Sequence, residues 1–263
     1  MDEVEDLFLG FPAPVDSIVA RVLRSVRNVK NLNLQFATVD LADLVRLHEL
    51  RRLRFFFVKF ANSPSATSIV LPQLQFLTIA NLGKLPPQLL TPSCLPRLLY
   101  FDYPDSMETR FDALLPQLHA TTLGSTTIPP FSLCTSLRIL HFPQAGFFRV
   151  EHLSSLTSLP PFLSIDYESH GVEMSQHEIG SALQKIRSAL ENLITTKQSG
   201  LRVVLLRGWE IDDSIKELAK RLESKGIRVE MIKAPLSFSR AIERMEEIVA
   251  EEAKAAEAKE IWD

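Results

Sequence analysis

Leu74-Gln75-Phe76-Leu77-Thr78-Ile79 has the form L-x-x-L-x-L, and the same phrase returns along the chain at steps of 20 to 24 residues. Copies stand at Val29, Leu32 and Leu34, at Leu50, Leu53 and Phe55, and at Leu95, Leu98 and Tyr100. Others are Leu137, Leu140 and Phe142, then Leu201, Val204 and Leu206, with weaker copies at 115–120 and 159–165. The last two apolar positions alternate, so they share one face of a short strand. Self-similarity at such a period is the mark of stacked units, each of which buries its aliphatic side only against its neighbours.

The fold expected is therefore α/β: an irregular leucine-rich-repeat solenoid with a curved parallel sheet, loops and helices on the convex side, and helical caps. Three parts are expected: an N-terminal capping segment over 1–28, the repeats over 29–235, and a charged C-terminal helix over 236–263. In the first part, Phe11-Pro12-Ala13-Pro14 reads as a turn, and 15–26 carries apolar residues at helical spacing. Leu85-Pro86-Pro87, Pro129-Pro130 and Pro160-Pro161 argue against long helices in the middle repeats, because proline fixes φ and restricts the residue before it. A (β/α)8 barrel needs roughly 30 residues per βαβ element, which these steps do not accommodate. After Asp166 the chain changes style. Helices are expected over 175–196, with Ser175 and Glu178 as a capping box, over 211–225, and from about Ser237; strands are expected at 201–206 and 227–232.

The 263 residues carry a net charge of −3, which argues against a broad basic field for nucleic acid. The opening Met1-Asp2-Glu3-Val4-Glu5-Asp6 lacks the order of a signal peptide, and no apolar run approaches the roughly 18 residues needed to cross a membrane. Cysteine-rich caps are absent, and Asn62-Ser63-Pro64 fails the glycosylation pattern. A cytoplasmic or nuclear protein, not a secreted one, is expected, with Cys94 and Cys134 as buried thiols and a disulfide as the minority reading.

In a strand written L-x-x-L-x-L the intervening residues line the concave surface. This places Arg52, Arg54, Phe56, Phe76, Arg97, Leu99, Phe101, His119 and His141 on the expected binding face. Arginine among exposed aromatics is the composition of a protein-interaction hot spot. The competing view is that a terminal helix or a long loop covers the aromatics. Arg51-Arg52-Leu53-Arg54 is read as a solvated edge before a phosphate contact. His170 and His177, near Glu168, Glu173 and Glu178, match no zinc spacing, so no metal and no cofactor is expected. No G-x-G-x-x-G, Walker loop or G-x-S-x-G elbow occurs. The final helix puts Ile242, Met245, Ile248 and Val249 on one stripe and its glutamates toward water.

Leu50-Arg51-Arg52-Leu53-Arg54-Phe55, Leu71-Pro72-Gln73-Leu74 and Leu95-Pro96-Arg97-Leu98 make residues 26–235 similar to the leucine-rich-repeat half of fungal F-box-like proteins. The resemblance implies a protein partner recruited by the repeats and, in that family, a ubiquitin-ligase adaptor docked by an F-box. Residues 1–25 are too short for that segment and lack its Leu-Pro-x-Glu start, so no F-box residue carries over. The asparagine usual after the strand is replaced by Ala37, Val58, Leu82, Tyr103, Ala145 and Trp209. The function expected is non-catalytic protein binding, with substrate recruitment for a ubiquitin ligase as its specific form. The alternative is an intracellular enzyme with a site in 163–235.

Overall fold

The computed structural model describes residues 4–61, 69–80, 89–102, 111–122, 133–142, 159–166, 176–195, 200–207, 213–232 and 237–260. The chain is mixed α/β with parallel strand pairs, and it divides into two compact units. The first comprises 1–121 with 129–137, the second 122–128 with 138–263.

The first unit contains β1 (Asp6–Val15), α1 (Asp16–Ser25), β2 (Asn31–Val39) and α2 (Leu41–Val45). It continues through β3 (Arg52–Phe56), β4 (Lys59–Phe60), β5 (Phe76–Ala80) and β6 (Tyr100–Asp102). A 3-10 helix (Asp112–Gln117) leads into β7 (Ala120–Thr122), whose first two residues belong to this unit. The strands lie in the order β1-β2-β3-β5-β6-β7, every neighbour parallel.

Register fixes the core. Leu7, Leu32, Leu53, Leu77, Phe101 and Thr121 are successive cross-strand partners. Each of the last four strands is entered by one hydrogen-bonded turn, in which the amides of Leu50, Leu74, Leu98 and Leu118 donate to the carbonyls of Leu47, Leu71, Leu95 and Leu115. The repeating unit is thus L-x-x-L-x-x-L: 47/50/53, 71/74/77, 95/98/101 and 115/118/121. All twelve side chains are at most 1 % exposed.

This frame corrects the expected one in two repeats. Leu95-x-x-Leu98-x-Tyr100 satisfies L-x-x-L-x-L, yet the partner of Leu77 is Phe101, three residues past Leu98. A slip of three is odd, so it exchanges the two faces. Phe101 enters the core at 0 % exposed, while Tyr100 pairs with Phe76 on the outer side.

Residues 6–15 are a second correction. They form a strand parallel to β2, and α1 is the crossover between the two. The sequence signal is short, Leu7-x-Leu9 among acidic residues, and the prolines at 12 and 14 read more loudly as a turn. α1 buries Val19 and Leu23, and Arg24 reaches from it to the buried carboxylate of Asp43 on α2 at 2.7 Å. Asp40 caps α2 by accepting from the Ala42 amide at 2.9 Å.

The second unit contains β8 (Ile139–Phe142), β9 (Phe162–Asp166), α3 (Gln176–Thr195) and β10 (Val203–Arg207). It ends with α4 (Asp213–Glu223), β11 (Arg228–Ile232) and α5 (Phe238–Glu260). The strand order is β8-β9-β10-β11, all parallel, with Leu140, Leu163, Val204 and Val229 as successive partners. The 41-residue step from Leu163 to Val204 holds the 20-residue α3, so the spacing doubles without a missing strand.

Every residue of β8 and β9 is buried. Such strands require cover on both faces. Helices α3 and α4 pack on each other and α4 on β11, burying Leu190, Leu193, Ile194, Ile215, Leu218 and Leu222. Ser175 and the side chains of Glu178, Ile179, Leu183 and Ile186 lie outside the described residues. Gly200 and Gly226, at φ +112° and +81°, precede β10 and β11 in the left-handed region that glycine tolerates.

Candidate functional site

In the first unit the side of the sheet opposite the leucine rows forms a grid. One row runs Asp6, Asn31, Arg52, Phe76, Tyr100; the next runs Phe8, Asn33, Arg54, Thr78, Asp102; the third runs Gly10, Gln35, Phe56, Ala80. Alternation along each strand puts these side chains together, because residues two apart share a face about 7 Å apart.

Arg52 and Arg54 are exposed and make no ion pair among the described residues. The Arg52 guanidinium carbon sits 5.7 Å above the Phe76 ring, which also lies 5.6 Å from that of Tyr100. Phe76 is consequently 8 % exposed, covered by its own neighbours rather than open. Phe56 is half-buried and meets two rings that sequence reasoning left off the site. It is edge-on to Phe36 at 5.8 Å and to Phe57 at 4.7 Å, and these two stack on each other at 5.0 Å and 7°.

Phe36 and Phe57 sit at φ 51° and 52°, in the left-handed region. They end the straight parts of β2 and β3 at matching places, each one residue before Ala37 or Val58. After them Ala37 and Val58 turn into the core at 1 % exposed. Thr38 and Val39 then pair in parallel with Lys59 and Phe60, and the Phe57 amide donates to the Ala80 carbonyl at 3.0 Å. The bend is thus held by backbone hydrogen bonds instead of an asparagine ladder.

The remaining expected residues are placed as follows. Arg97 is exposed but precedes β6, where it donates to Gln73 at 2.6 Å. Leu99 and His119 are half-buried and immediately precede β6 and β7. Phe101 is corrected to the core, for the register reason given above. His141 is likewise corrected, at 1 % exposed.

His141 belongs to the second unit, where the corresponding row runs Ile139/Phe162/Val203 and His141/Ser164/Leu205. His141 Nδ1 and Ser164 Oγ are hydrogen bonded at 3.0 Å, and Ser164 and Asp166 are both 0 % exposed. Phe238, the first residue of α5, lies 5.9 Å from the His141 ring.

Ion pairs tie α5 to the same side. Arg244 donates to both carboxylate oxygens of Glu230 at 2.7 Å and also reaches Glu247 and Glu251. Arg228 meets Glu251, and Arg202 meets Glu252. Ala241, Ile242, Met245 and Ile248 are buried, whereas Val249 is 47 % exposed. In this unit, then, the side opposite Leu140 and Leu163 is covered by the C-terminal helix. Several of its glutamates are ligands for arginine and do not simply face water. Their pairing holds Glu230 and Glu251 below the usual carboxylate range, the Arg244 hydrogen bond being the largest cause in each case.

A cleft of about 530 Å³ in the first unit is lined by Leu23, Arg24, Val26, Arg27, Val45 and Arg46, among others. It draws only on α1, α2 and the turns that follow them, so its residues are scattered in sequence and carry no periodic signal. Cys94 and Cys134 lie half-buried at the edge of the same unit's core, less covered than expected. Burial pushes Cys134 up to about 11, which keeps it protonated and unreactive at neutral pH.

Among the described residues no group of three His, Cys, Asp or Glu could hold a metal ion. His177 is exposed on α3, and His170 lies outside the described residues. No helix among them is long and apolar enough to cross a membrane. No protein-family model matches the chain, and no curated protein matches it.

Proposed function

We propose that the chain is a non-catalytic protein-interaction module: an irregular leucine-rich-repeat solenoid whose outer strand rows in the first unit receive a partner protein. One observation carries this reading. Arg52 and Arg54 stand exposed on adjacent rows beside Phe56, without an ion pair among the described residues. Arginine with aromatic neighbours on a rigid sheet supplies large contact area at low ordering cost. Substrate recruitment for a ubiquitin ligase is the specific form we favour, on the likeness of the repeats to those of fungal F-box-like proteins.

The test is proximity labelling in the native cell with the parent chain, Arg54→Glu, and Lys220→Glu as a charge-reversed control at an exposed position of α4. Arg54→Glu should lose a subset of labelled proteins that Lys220→Glu retains. The presence of ubiquitin-ligase adaptors in the parent set decides the specific form. Identical sets from all three proteins would reject the outer rows as the binding surface.

A second reading, an enzyme with its site in 163–235, draws on the buried Ser164 and Asp166, with Ser164 hydrogen bonded to His141 of the neighbouring strand outside that range. It ranks below the first because solvent reaches none of the three side chains.

A further inference from the structure

We infer that the partner surface takes an extended segment carrying an acidic side chain two positions from a large apolar one. The acid would meet Arg54, and the apolar group would seat on the ring cluster of Phe36, Phe56 and Phe57. This rests on the interaction reading above and adds the chemistry of the occupant.

The backbone is the first argument. Phe36 and Phe57 both adopt left-handed φ, a conformation that bulky side chains rarely take and that asparagine or glycine reaches at lower cost. A strained residue is retained for stability only if its side chain gains much by burial. Here the gain is small: the two rings remain 37 % and 42 % exposed. Phe8 on β1 is 61 % exposed, and its ring lies against Gly10, where an added Cβ would fall 2.8 Å from it. Strain without burial is the pattern of a site held ready for something else.

Charge is the second argument. The stretch Leu50 to Ala61 contains Arg51, Arg52, Arg54 and Lys59 and no acidic residue, in a chain whose net charge is −3. Asp6, the acid in the Arg52 row, already accepts from Asn31 at 2.6 Å. Asp102, at the far end of the Arg54 row, is separated from Arg54 by the Thr78 strand. The field at Arg54 therefore favours an incoming carboxylate.

Spacing is the third. Arg54 and Phe56 share a face of β3 about 7 Å apart, the distance between alternate side chains of an extended chain. A segment running along the strand direction sets its acid over one and its apolar group over the other.

The experiment is selection of a random displayed peptide pool on the purified full chain, repeated with Arg54→Glu and Phe57→Asn. On the parent chain, enriched peptides should pair Asp or Glu with Trp, Phe or Leu two positions away. Arg54→Glu should remove the preference for acid. Phe57→Asn should weaken binding of the selected peptides at least tenfold while its thermal midpoint stays equal or rises, since asparagine suits the left-handed backbone. A lowered midpoint would assign the ring to stability and overturn its role here. Enriched peptides that lack the pair, or that bind both variants undiminished, overturn this inference and leave the interaction reading standing. No enrichment on the parent chain counts against both.

Discussion

Thr121 occupies the place in the fourth repeat turn that Leu53, Leu77 and Phe101 occupy in the other three, as the register partner of Phe101. It is 0 % exposed, and its hydroxyl has no hydrogen-bond partner among the described residues. A buried hydroxyl left unmade costs about 1–3 kcal/mol. Thr121→Val keeps the shape and removes the orphan group, so it should raise stability by roughly 1 kcal/mol on the same scale, read as a higher unfolding midpoint. A lowered midpoint would mean that the hydroxyl is engaged. At this scale the sequence was only partly legible. Leucines at 47, 50 and 53 and their counterparts carry the true spacing of three, yet Tyr100 also completes the shorter template from Leu95 and Leu98. Two apolar candidates, one residue apart, cannot be separated by hydrophobicity. The Leu77–Phe101 pairing separates them, and with it the expected site loses Phe101 and admits Tyr100 to its border.

α5 shows the same limit one level up. Its apolar stripe of Ile242, Met245 and Ile248 could be read from spacing, and all three are buried. Its docking side was not readable, because that depends on Glu230 and Arg228, 14 and 23 residues from their partners Arg244 and Glu251. Nor did spacing show that this side covers His141. The pairing has a pH consequence. The folded-state values of Glu230 and Glu251 are lowered from the usual 4.5, chiefly by Arg244. Their contribution to stability is therefore fully present above pH 4.5 and is lost as pH falls through the folded values. Hydrogen-exchange protection of α5 should decline on acidification below about pH 4.5, ahead of that of β8 and β9. Arg244→Gln should lower protection of α5 at neutral pH and flatten this acid dependence. Protection that declines in parallel in both proteins would show that the ion pairs do not hold the helix.

For the molecule as a whole, the twenty-odd-residue period announced parallel strands throughout, and the two units complete them differently. In the second, β8 and β9 are buried along their whole length, with the C-terminal helix packed on β8. In the first, Arg52 and Arg54 themselves stay exposed on the outer rows, where alternation along the strand could place them, although Phe76 and Thr78 beside them are buried. Phe36 and Phe57 escaped because nothing in a run of phenylalanines reveals a change in the sign of φ. The strand at residues 6–15 has one further implication. Among the described residues it pairs on one side alone, with β2, and that pairing is interrupted between Gly10 and Val15. Pro12 and Pro14 fall in the interruption and bring no amide hydrogens, so the rim is a poor template for another copy of the chain. Replacing both with valine should increase self-association relative to the parent chain in sedimentation velocity. An unaltered distribution would mean that something other than these two imino acids keeps neighbouring molecules from joining rim to rim.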